Sequence, residues 1–568
     1  MTRTVAARLA LLLIPIVCVG LFGRVLYTPD EPREGSMVVA MADQADLSLP
    51  TLAGHPFAEK PPLLYWLGGI AVKLLGPTPS VMRLPGLAYW LGAVLAITVL
   101  VARAAGTQAG FAAGLVTGTA LQLYQVGMWL ATDAPLVAGV ALSLLGCFSA
   151  LTTEVQTQRR QGYGLFHAGL AIAFFAKGFP GWMVPACAFL TLVVWERRFR
   201  ELWSVELWAG AGALLLLIGA WVAWVAHSVG GFESLKVMFW YNLVGRAVVV
   251  NAPGDLQYAK GHLNTPAKYL FELPMYLLPW TALALAACRK LPRAVQRADR
   301  EGTAWRLAVG AIVPATVLLS FAATARGVYY GPPALGFAIL IGLYVGAAGA
   351  VLDRWDRWAW RLTGWLIAAM AVVLGLLAML ANFAPLDRSP GSMAWGLLAA
   401  VTMLVVVFLS VRTVKITAAC LPTLAVAFAL TLTAIAGPLY FKLNQWLSLE
   451  YLAQRIDASR QHHPLQLLDP DETTLALVSL YFPTAVEARA HADSVWLWRV
   501  PDQGHWGVGR WLQFMGYRAA PTVAESDRHF NLPLPGVRVM CVFERPGGRS
   551  LALLSAARNL PEGEPLCP

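Results

Sequence analysis

The feature that most constrains this chain is the recurrence of apolar stretches about 20 residues long, each able to cross a hydrocarbon core about 30 Å thick as a helix. Only 13% of its 568 residues are charged, whereas a soluble protein of this size carries about 25%. We therefore predict an all-α polytopic membrane protein. The expected spans number about thirteen and lie at residues 8–25, 84–102, 107–127, 134–151, 163–177, 180–195, 204–227, 269–288, 305–323, 332–350, 358–381, 392–411 and 417–437.

The charged connectors between these stretches predict the orientation in the membrane. Arginine-rich loops such as "TEVQTQRRQG" and "CRKLPRAVQRADREGTAWR" fall on the same side as the N-terminus, and such loops collect in the cytoplasm. The same rule explains the net charge of +11 without nucleic acid. The opposite side then receives a first outer loop (27–83), a second outer loop (228–268) and everything after residue 437.

The last part of the chain differs in character from the transmembrane domain, 1–437, that precedes it. Residues 438–568 contain short alternating runs such as "ADSVWLWRV" and "GVRVMCVFERP" between turn residues, a pattern typical of strands. We predict a small soluble α/β domain in the periplasm. Cys541 and Cys567 are the only cysteines of that domain, and a disulfide between them would persist in an oxidising compartment.

Several polar residues occur at the outer ends of the predicted spans. Burying an ionisable group at membrane depth is costly unless the group is paired or lines a cavity. Taken singly, Lys177 and Arg326 could be interfacial anchors, Asp133 could cap a helix, and His262 could be an ordinary loop histidine. Because they share one side, we interpret them as one cavity. Its predicted members are Asp30, Glu31, Glu59, Lys60, Asp133, Lys177, Arg246, His262, Arg326 and Tyr329.

This combination of charges suits chemistry on a lipid phosphate. Basic side chains bind phosphate through charge-assisted hydrogen bonds, and a carboxylate can act as a general base or orient an acceptor. No P-loop or dinucleotide-binding glycine pattern occurs, so a cytosolic nucleotide donor is not supported. The alternative from another class is a transporter or flippase of lipid-linked sugars. It should have inverted repeats and broken helices, and the sequence indicates neither.

Three segments of the first outer loop carry a family resemblance: "DEPREGSMVVAM", "HPFAEKPPLLYWL" and "MRLPGLAYWLG". They resemble the lipid A aminoarabinose transferase and its relatives, which belong with protein O-mannosyltransferases to the GT-C class of integral membrane glycosyltransferases. Later segments, "ATDAPL", "AKGFPGWMVP" and "ARGVYYGPPAL", resemble further landmarks of that family. The resemblance covers about residues 1–350.

The resemblance implies an enzyme of the bacterial inner membrane that works on the periplasmic side. Its donor would be a sugar on undecaprenyl phosphate, and its acceptor lipid A or another glycan. A protein O-glycosyltransferase of the same class is the alternative. We expect an inverting, single displacement, in which Asp30 is the general base for a hydroxyl acceptor or orients a phosphate acceptor.

The resemblance also implies roles for individual residues. Asp30 and Asp133 match acidic catalytic positions, and Arg33 is expected to pair with Glu31 or Glu34 and hold the loop in shape. Glu31, Glu59, Lys177 and His262 are expected to support the site. The residues expected to hold the lipid phosphate of the donor are Lys60, Arg246, Arg326 and Tyr329.

A divalent metal is the one cofactor that the resemblance raises. Relatives that hold a metal would do so through a glutamate matching Glu59 and a histidine of a later loop, for which His262 could substitute here. They also carry an acid–His pair after an aromatic tryptophan, where this chain reads "FWYNLVGR", with Asn242 and Leu243 instead. The sequence therefore requires no cofactor, and a metal between Glu59 and His262 is left as an alternative.

Overall fold

Helices dominate the architecture of this computed structural model. The described residues are 3–228, 230–248, 250–251, 264–347, 352–381, 390–411, 421–460, 463–483, 494–500, 533–543 and 550–556. The helices of the first third of the chain are α1 (Arg3–Leu21), α2 (Asp30–Asp43), α3 (Leu63–Leu75), α4 (Pro79–Ala105), α5 (Thr107–Thr119), α6 (Leu121–Met128), α7 (Asp133–Leu151), α8 (Gln156–Lys177) and α9 (Met183–Trp195). A two-residue hairpin, β1 (Thr51–Leu52) and β2 (His55–Pro56), lies between α2 and α3.

The middle of the chain continues this helical pattern, with short irregular turns next to two of the helices. The helices are α10 (Val205–His227), α11 (Gly231–Lys236), α12 (Gly245–Ala247), α13 (Lys268–Tyr276), α14 (Thr281–Ala294), α15 (Arg300–Phe321) and α16 (Gly331–Ala347). A π-helical segment, Val237–Val244, precedes α12, and a 3₁₀ turn, Gly327–Tyr330, precedes α16.

The last third of the chain adds helices and the main sheet. These elements are α17 (Arg354–Ala381), α18 (Pro390–Val411), α19 (Leu421–Leu430), α20 (Ala436–Leu447), α21 (Leu449–Arg460), β3 (Leu465–Leu468), α22 (Glu472–Tyr481), β4 (Val495–Arg499), β5 (Val537–Phe543) and β6 (Leu551–Ala556). The sheet order is β3-β4-β6-β5, with β3 parallel to β4 and the other pairs antiparallel.

Local sequence signals explain where several of these helices begin and end. The Thr78 side chain accepts a hydrogen bond from the Val81 N–H, and Pro79 occupies the first turn, so α4 begins there. Helix α15 begins in the same way, with Asp299 accepting from the Gly302 N–H at 2.9 Å. Helix α8 ends at Gly178, whose φ of 72° is unfavourable for residues with a side chain.

The membrane-embedded core is held together by closely packed helices with small residues at their contacts. Helices α7 and α8 approach so closely that a Cβ on Gly146 would lie 2.3 Å from the Phe166 backbone nitrogen. Small residues that allow such approach are typical of helix pairs inside membranes. This tight pair positions Asp133, at the start of α7, beside Lys177, at the end of α8.

The predicted number of spans is only partly reproduced. Among the described residues, six helices are long and apolar enough to cross a membrane, or seven if the bent pair α13 and α14 forms one span. That pair bends by 116°, so the chain does contain a broken helix, contrary to expectation. The predicted span 107–127 is also interrupted, at Ala120, and the two breaks meet where the Leu121 N–H donates to the Leu278 carbonyl at 2.9 Å.

The four-stranded sheet lies within the predicted C-terminal domain, and helix α20 crosses the predicted boundary at residue 438, so the division into domains stays a prediction. We call the elements from α21 to β6 the C-terminal unit. Its helix α22 packs against α2, and both contribute to one apolar cluster that includes Met37, Val38, Met41 and Ala476. Cys541 in β5 is disulfide-bonded, but Cys567 lies outside the described residues, so their pairing stays a prediction. The periplasmic location of this unit also stays a prediction.

Candidate active site

Helix α2 carries three charged residues on one face. Asp30, Arg33 and Glu34 are spaced i, i+3 and i+4, which aligns them on a helix. Arg33 Nη2 lies 3.0 Å from Glu34 Oε1 and 3.5 Å from Asp30 Oδ1. The other oxygen of Asp30 accepts a hydrogen bond at 3.0 Å from Arg326, at the start of the 3₁₀ turn before α16. The charged face of α2 therefore contacts Arg326, which lies in a segment far from α2 along the chain.

Glu31 lies on a different face of the same helix and has a different role. It is fully buried, and it accepts hydrogen bonds from Arg24 at 3.1 Å, from Arg83 at 2.7 and 2.8 Å, and from two backbone N–H groups. The expected alternative pairing of Arg33 with Glu31 is therefore wrong, and Arg33 pairs with Glu34 instead. Glu31 holds the beginning of α2 and is not part of the cavity wall.

Lys60 comes to the charged face of α2 from the segment that follows the hairpin. Its Nζ lies 2.6 Å from Glu34 Oε1 and 3.9 Å from Glu59 Oε2. Glu34 also accepts a hydrogen bond at 2.6 Å from the hydroxyl of Tyr65 in α3. The Pro61–Pro62 pair directly precedes α3 and restricts the backbone there. Glu59 and Lys60 are therefore held next to a rigid segment.

Glu59 connects this group to the second outer loop. Arg246 donates hydrogen bonds to Glu59 Oε1 and, at 2.5 Å, to the hydroxyl of Tyr329. The backbone of α12 is fixed beside the end of α15, since the Thr324 N–H donates to the Arg246 carbonyl at 3.2 Å. The side chain of Asn242 donates to the Glu59 carbonyl. The second outer loop thus contacts Glu59 directly, and Arg246 joins Glu59 to the segment before α16.

Asp133 and Lys177 form a further ion pair next to Tyr329. Their side chains lie 2.6 Å apart, and Lys177 Nζ lies 4.9 Å from the centre of the Tyr329 ring. Asp133 is the first residue of α7, which begins after Thr132 without a side-chain cap. The sequence analysis considered Asp133 as a helix cap and Lys177 as an interfacial anchor. The structure shows instead that the two residues pair with each other.

Some of these residues line a cavity of about 420 Å³, whose lining is partly polar and partly apolar. The polar residues that line it are Glu59, Lys60, Lys177, Asn242, Arg246, Thr324 and Tyr329. The apolar residues that line it include Leu136, Phe179, Met183, Val184, Met238, Phe239, Leu243, Leu318 and Leu319. Such a cavity matches an amphiphile with an anionic head and an apolar chain.

The structure brings together eight of the predicted site residues in one connected set of contacts, in which Arg33 also takes part. The eight are Asp30, Glu59, Lys60, Asp133, Lys177, Arg246, Arg326 and Tyr329. Glu31 lies apart from them, and His262 lies outside the described residues. The contacts themselves lie at helix ends and in the segments between helices.

Sequence analysis missed two residues of this set. Glu34 was considered only as a partner of Arg33, although its i+4 spacing from Asp30 could have identified it. Glu472, at the start of α22, makes an ion pair with Arg33 and is 49% exposed. No local signal in the sequence could have found that contact, because 439 positions separate the two residues.

The surrounding cations keep the carboxylates of the site ionised. Burial alone would raise the pKa of Asp30, but Arg33 and Arg326 outweigh it and hold that pKa below its ordinary value. Burial would likewise raise the pKa of Glu59, but Lys60 and Arg33 lower it to about 2. Both groups are therefore anions at neutral pH.

The described residues do not fit the alternative of a divalent metal at Glu59. One oxygen of this carboxylate accepts from Arg246, and cations approach it from other sides. The neighbouring residue from the second outer loop is Asn242, which donates its amide to Glu59 and is a poorer ligand than a carboxylate or imidazole. No group of three potential ligands occurs among the described residues, which exclude 252–263 and so His262.

Comparison with known proteins shows what this chain is similar to in sequence and in fold. Residues 59–245 match the family described as dolichyl-phosphate-mannose-protein mannosyltransferase. Over its full length the chain has the fold of ArnT from Cupriavidus metallidurans, whose crystal structure bound to undecaprenyl phosphate gives a TM-score of 0.68 at 16% identity, covering 97% of this chain and 98% of that one. The family model covers residues 59–245 only, whereas the fold similarity extends over nearly the whole chain. The apolar helices and this shared fold indicate a multi-pass membrane protein.

Curated proteins are moderately similar to this chain in sequence. The undecaprenyl phosphate-alpha-4-amino-4-deoxy-L-arabinose arabinosyl transferase of Aeromonas salmonicida is 26% identical over 363 residues, covering 63% of this chain and 62% of that protein. The protein of the same name from Yersinia enterocolitica is 26% identical over 294 residues, or 50% of each chain. The matched part of this chain therefore spans about half to three-fifths of these relatives.

Proposed function

We propose that this protein is an inverting glycosyltransferase that moves a sugar from a polyprenyl phosphate, such as undecaprenyl phosphate, to an acceptor outside the cytoplasm. The observation that carries the proposal is the cavity, whose lining combines the cations Lys60, Lys177 and Arg246 with many apolar side chains. A molecule with an anionic phosphate and a prenyl chain would match both kinds of lining. The names of the curated relatives, which specify an undecaprenyl phosphate donor, support the same donor class.

The reaction would be a single displacement at the anomeric carbon. The acceptor oxygen forms the new bond as the bond between that carbon and the phosphate oxygen breaks, and the electron pair leaves with the phosphate. We assign Lys60, Arg246 and the hydroxyl of Tyr329 to stabilise the negative charge that develops on the phosphate. Preorganised hydrogen-bond donors stabilise a leaving anion strongly. Arg326, which the sequence analysis expects at the donor phosphate, pairs with Asp30 at 3.0 Å, so we assign it to the acceptor together with Asp30.

Asp30 is assigned to orient the acceptor. Its pKa is held below the ordinary value by Arg33 and Arg326, and a general base works best when its pKa is near the operating pH. A low pKa argues against proton removal from a hydroxyl, and Arg33 and Arg326 beside Asp30 offer cations to an acceptor that is already an anion, such as a phosphate group of lipid A or another glycan phosphate. Of the two roles expected for Asp30, orientation of a phosphate acceptor is therefore favoured over proton removal.

Single substitutions at the two ends of the site test the proposal. Lys60→Ala should weaken binding of a polyprenyl-phosphate sugar about tenfold to a hundredfold, as expected for a lost charge-assisted contact. Asp30→Asn should leave donor affinity unchanged but slow single-turnover transfer at least about tenfold. Lys73→Ala and Asp43→Asn, which change exposed residues of α3 and α2 outside the cavity, are the matched controls.

The results separate the assigned roles from a general loss of structure. Unchanged donor binding by Lys60→Ala would reject its role at the phosphate, and parental transfer by Asp30→Asn would reject its role at the acceptor. Mass spectrometry of lipid A, surface glycans and periplasmic proteins, with and without the parental protein, identifies the acceptor. If a modified protein is the only product, the acceptor is a protein and the alternative of a protein O-glycosyltransferase is correct.

A further inference from the structure

Every cation assigned to the donor phosphate already has a carboxylate partner within the protein. Lys60 pairs with Glu34 at 2.6 Å, and Arg246 pairs with Glu59. Lys177, which also lines the cavity, pairs with Asp133 at 2.6 Å. A phosphate that enters this cavity therefore meets cations that already have carboxylate partners, and it competes with those carboxylates for them.

Glu59 is the carboxylate best placed for that exchange. It lines the cavity itself, whereas Glu34 does not, and Glu34 is additionally held by Arg33 and the Tyr65 hydroxyl. One oxygen of Glu59 is bound to Arg246. Its other oxygen, Oε2, is buried, lies 3.9 Å from both Lys60 and Arg33, and has no hydrogen-bond donor among the described residues. This carboxylate thus occupies the centre of the cationic cluster without using its full capacity to accept hydrogen bonds.

We propose that Glu59 is an internal competitor of the donor phosphate, which holds Arg246 between reaction cycles and helps to displace the phosphate product. This inference rests on the proposed function. The donor is a phosphodiester with one negative charge, whereas the product is a monoester with a charge of about −1.5 to −2 at neutral pH. The product therefore binds the cations more strongly than the donor does, and its release needs an opposing anion.

The electrostatics of the site fit such a competitor. The pKa of Glu59 is lowered to about 2, so the carboxylate keeps its charge at any pH at which the protein works. The Glu59 carboxylate stays ionised throughout the reaction cycle. It can therefore bind Arg246 again as soon as the phosphate moves away. In a partly desolvated cavity, the repulsion between Glu59 and a dianion is screened less than it would be at the surface.

Glu59→Gln tests the inference, because glutamine has nearly the same shape without the charge. The full-length variant should bind polyprenyl monophosphate about tenfold or more tightly than the parent, since the negative charge of Glu59 no longer competes with the phosphate for Arg246. Single-turnover transfer should stay within about threefold of the parental rate. Steady-state turnover should fall about tenfold, with a burst of product in the first cycle, because release becomes rate-limiting.

Two further variants control this experiment. Glu201→Gln removes another buried carboxylate that pairs with an arginine, Arg159, near the opposite end of α8, and it should leave product affinity unchanged. Glu59→Asp keeps the negative charge and should bind the product within about threefold of the parent. Thermal unfolding in detergent establishes that each variant is folded, and Glu59→Asp still tests the charge if Glu59→Gln does not fold.

The possible outcomes distinguish this inference from the function on which it rests. If the parent does not bind polyprenyl monophosphate, the proposed donor class is wrong. If the parent binds it and Glu59→Gln binds it equally or more weakly, only the competing role of Glu59 is rejected. Tighter binding by Glu59→Gln with unchanged steady-state turnover also rejects a role in product release.

Discussion

Glu31→Gln should destabilise the protein strongly although Glu31 does not line the cavity. The carboxylate is fully buried and accepts six hydrogen bonds, four of them from the guanidinium groups of Arg24 and Arg83. Glutamine offers one acceptor oxygen and turns an amide donor towards guanidinium donors. Two buried arginines would then lack an anionic partner.

The expected loss follows from the cost of breaking a buried ion pair by removing one partner, about 3–5 kcal/mol. If the whole chain unfolded with the entropy of a soluble protein of this length, roughly 1.2 kcal/mol per kelvin, the midpoint would fall by about 3 °C. Helices that persist in detergent reduce that entropy and increase the shift. Glu233→Gln, which changes a carboxylate that is 71% exposed, should have almost no effect.

The measurement is thermal unfolding in detergent, repeated as a function of pH. Burial opposes ionisation of Glu31, but Arg83 and Arg24 outweigh it and lower its pKa below the ordinary value of 4.5. A lowered pKa in the folded protein stabilises it above pH 4.5, and that stabilisation is lost as the pH falls further. The difference between parent and variant should therefore shrink in acid. A shift no larger than that of Glu233→Gln would refute the structural role of Glu31.

Three further predictions concern the C-terminal unit. A reporter that is active only in the cytoplasm should be inactive when fused after Pro568, and activity there would reverse the predicted topology. Without reduction, alkylation should not label Cys541, which is disulfide-bonded, and labelling of Cys567 would reject the predicted pair. Glu472→Gln should slow transfer by up to about fivefold at unchanged donor affinity, as expected for a half-exposed ion pair with Arg33; a parental rate would contradict this coupling.

The sequence predicted the membrane class and most helices because the relevant signal is local. Apolar length alone identifies a candidate span, and the helices found include counterparts of predicted spans such as 84–102 and 134–151. The breaks at Ala120 and between α13 and α14 were missed. Their two backbones meet through Leu121 and Leu278, and a partner so distant along the chain leaves no trace in a hydropathy pattern.

For the candidate site, too, the sequence identified the residue types, but it did not show which of them contact one another. The sequence identified which residues were out of place in a membrane protein, including Asp30, Glu59, Arg246 and Arg326. It misassigned Glu31, because Glu31 and Glu34 are equally charged neighbours in the same segment. The orientation of α2 about its axis directs Glu31 towards two buried arginines and Glu34 towards Lys60.

What the sequence by itself determined is therefore the class of protein, its apolar segments and the types of residue available for chemistry. The tertiary structure decided which charges face one another. Asp30 meets Arg326 across 296 positions, and Glu59 meets Arg246 across 187. Hydrophobic length is a property of each segment alone, whereas an ion pair depends on the distance between two segments, and that distance exists only after the helices have packed.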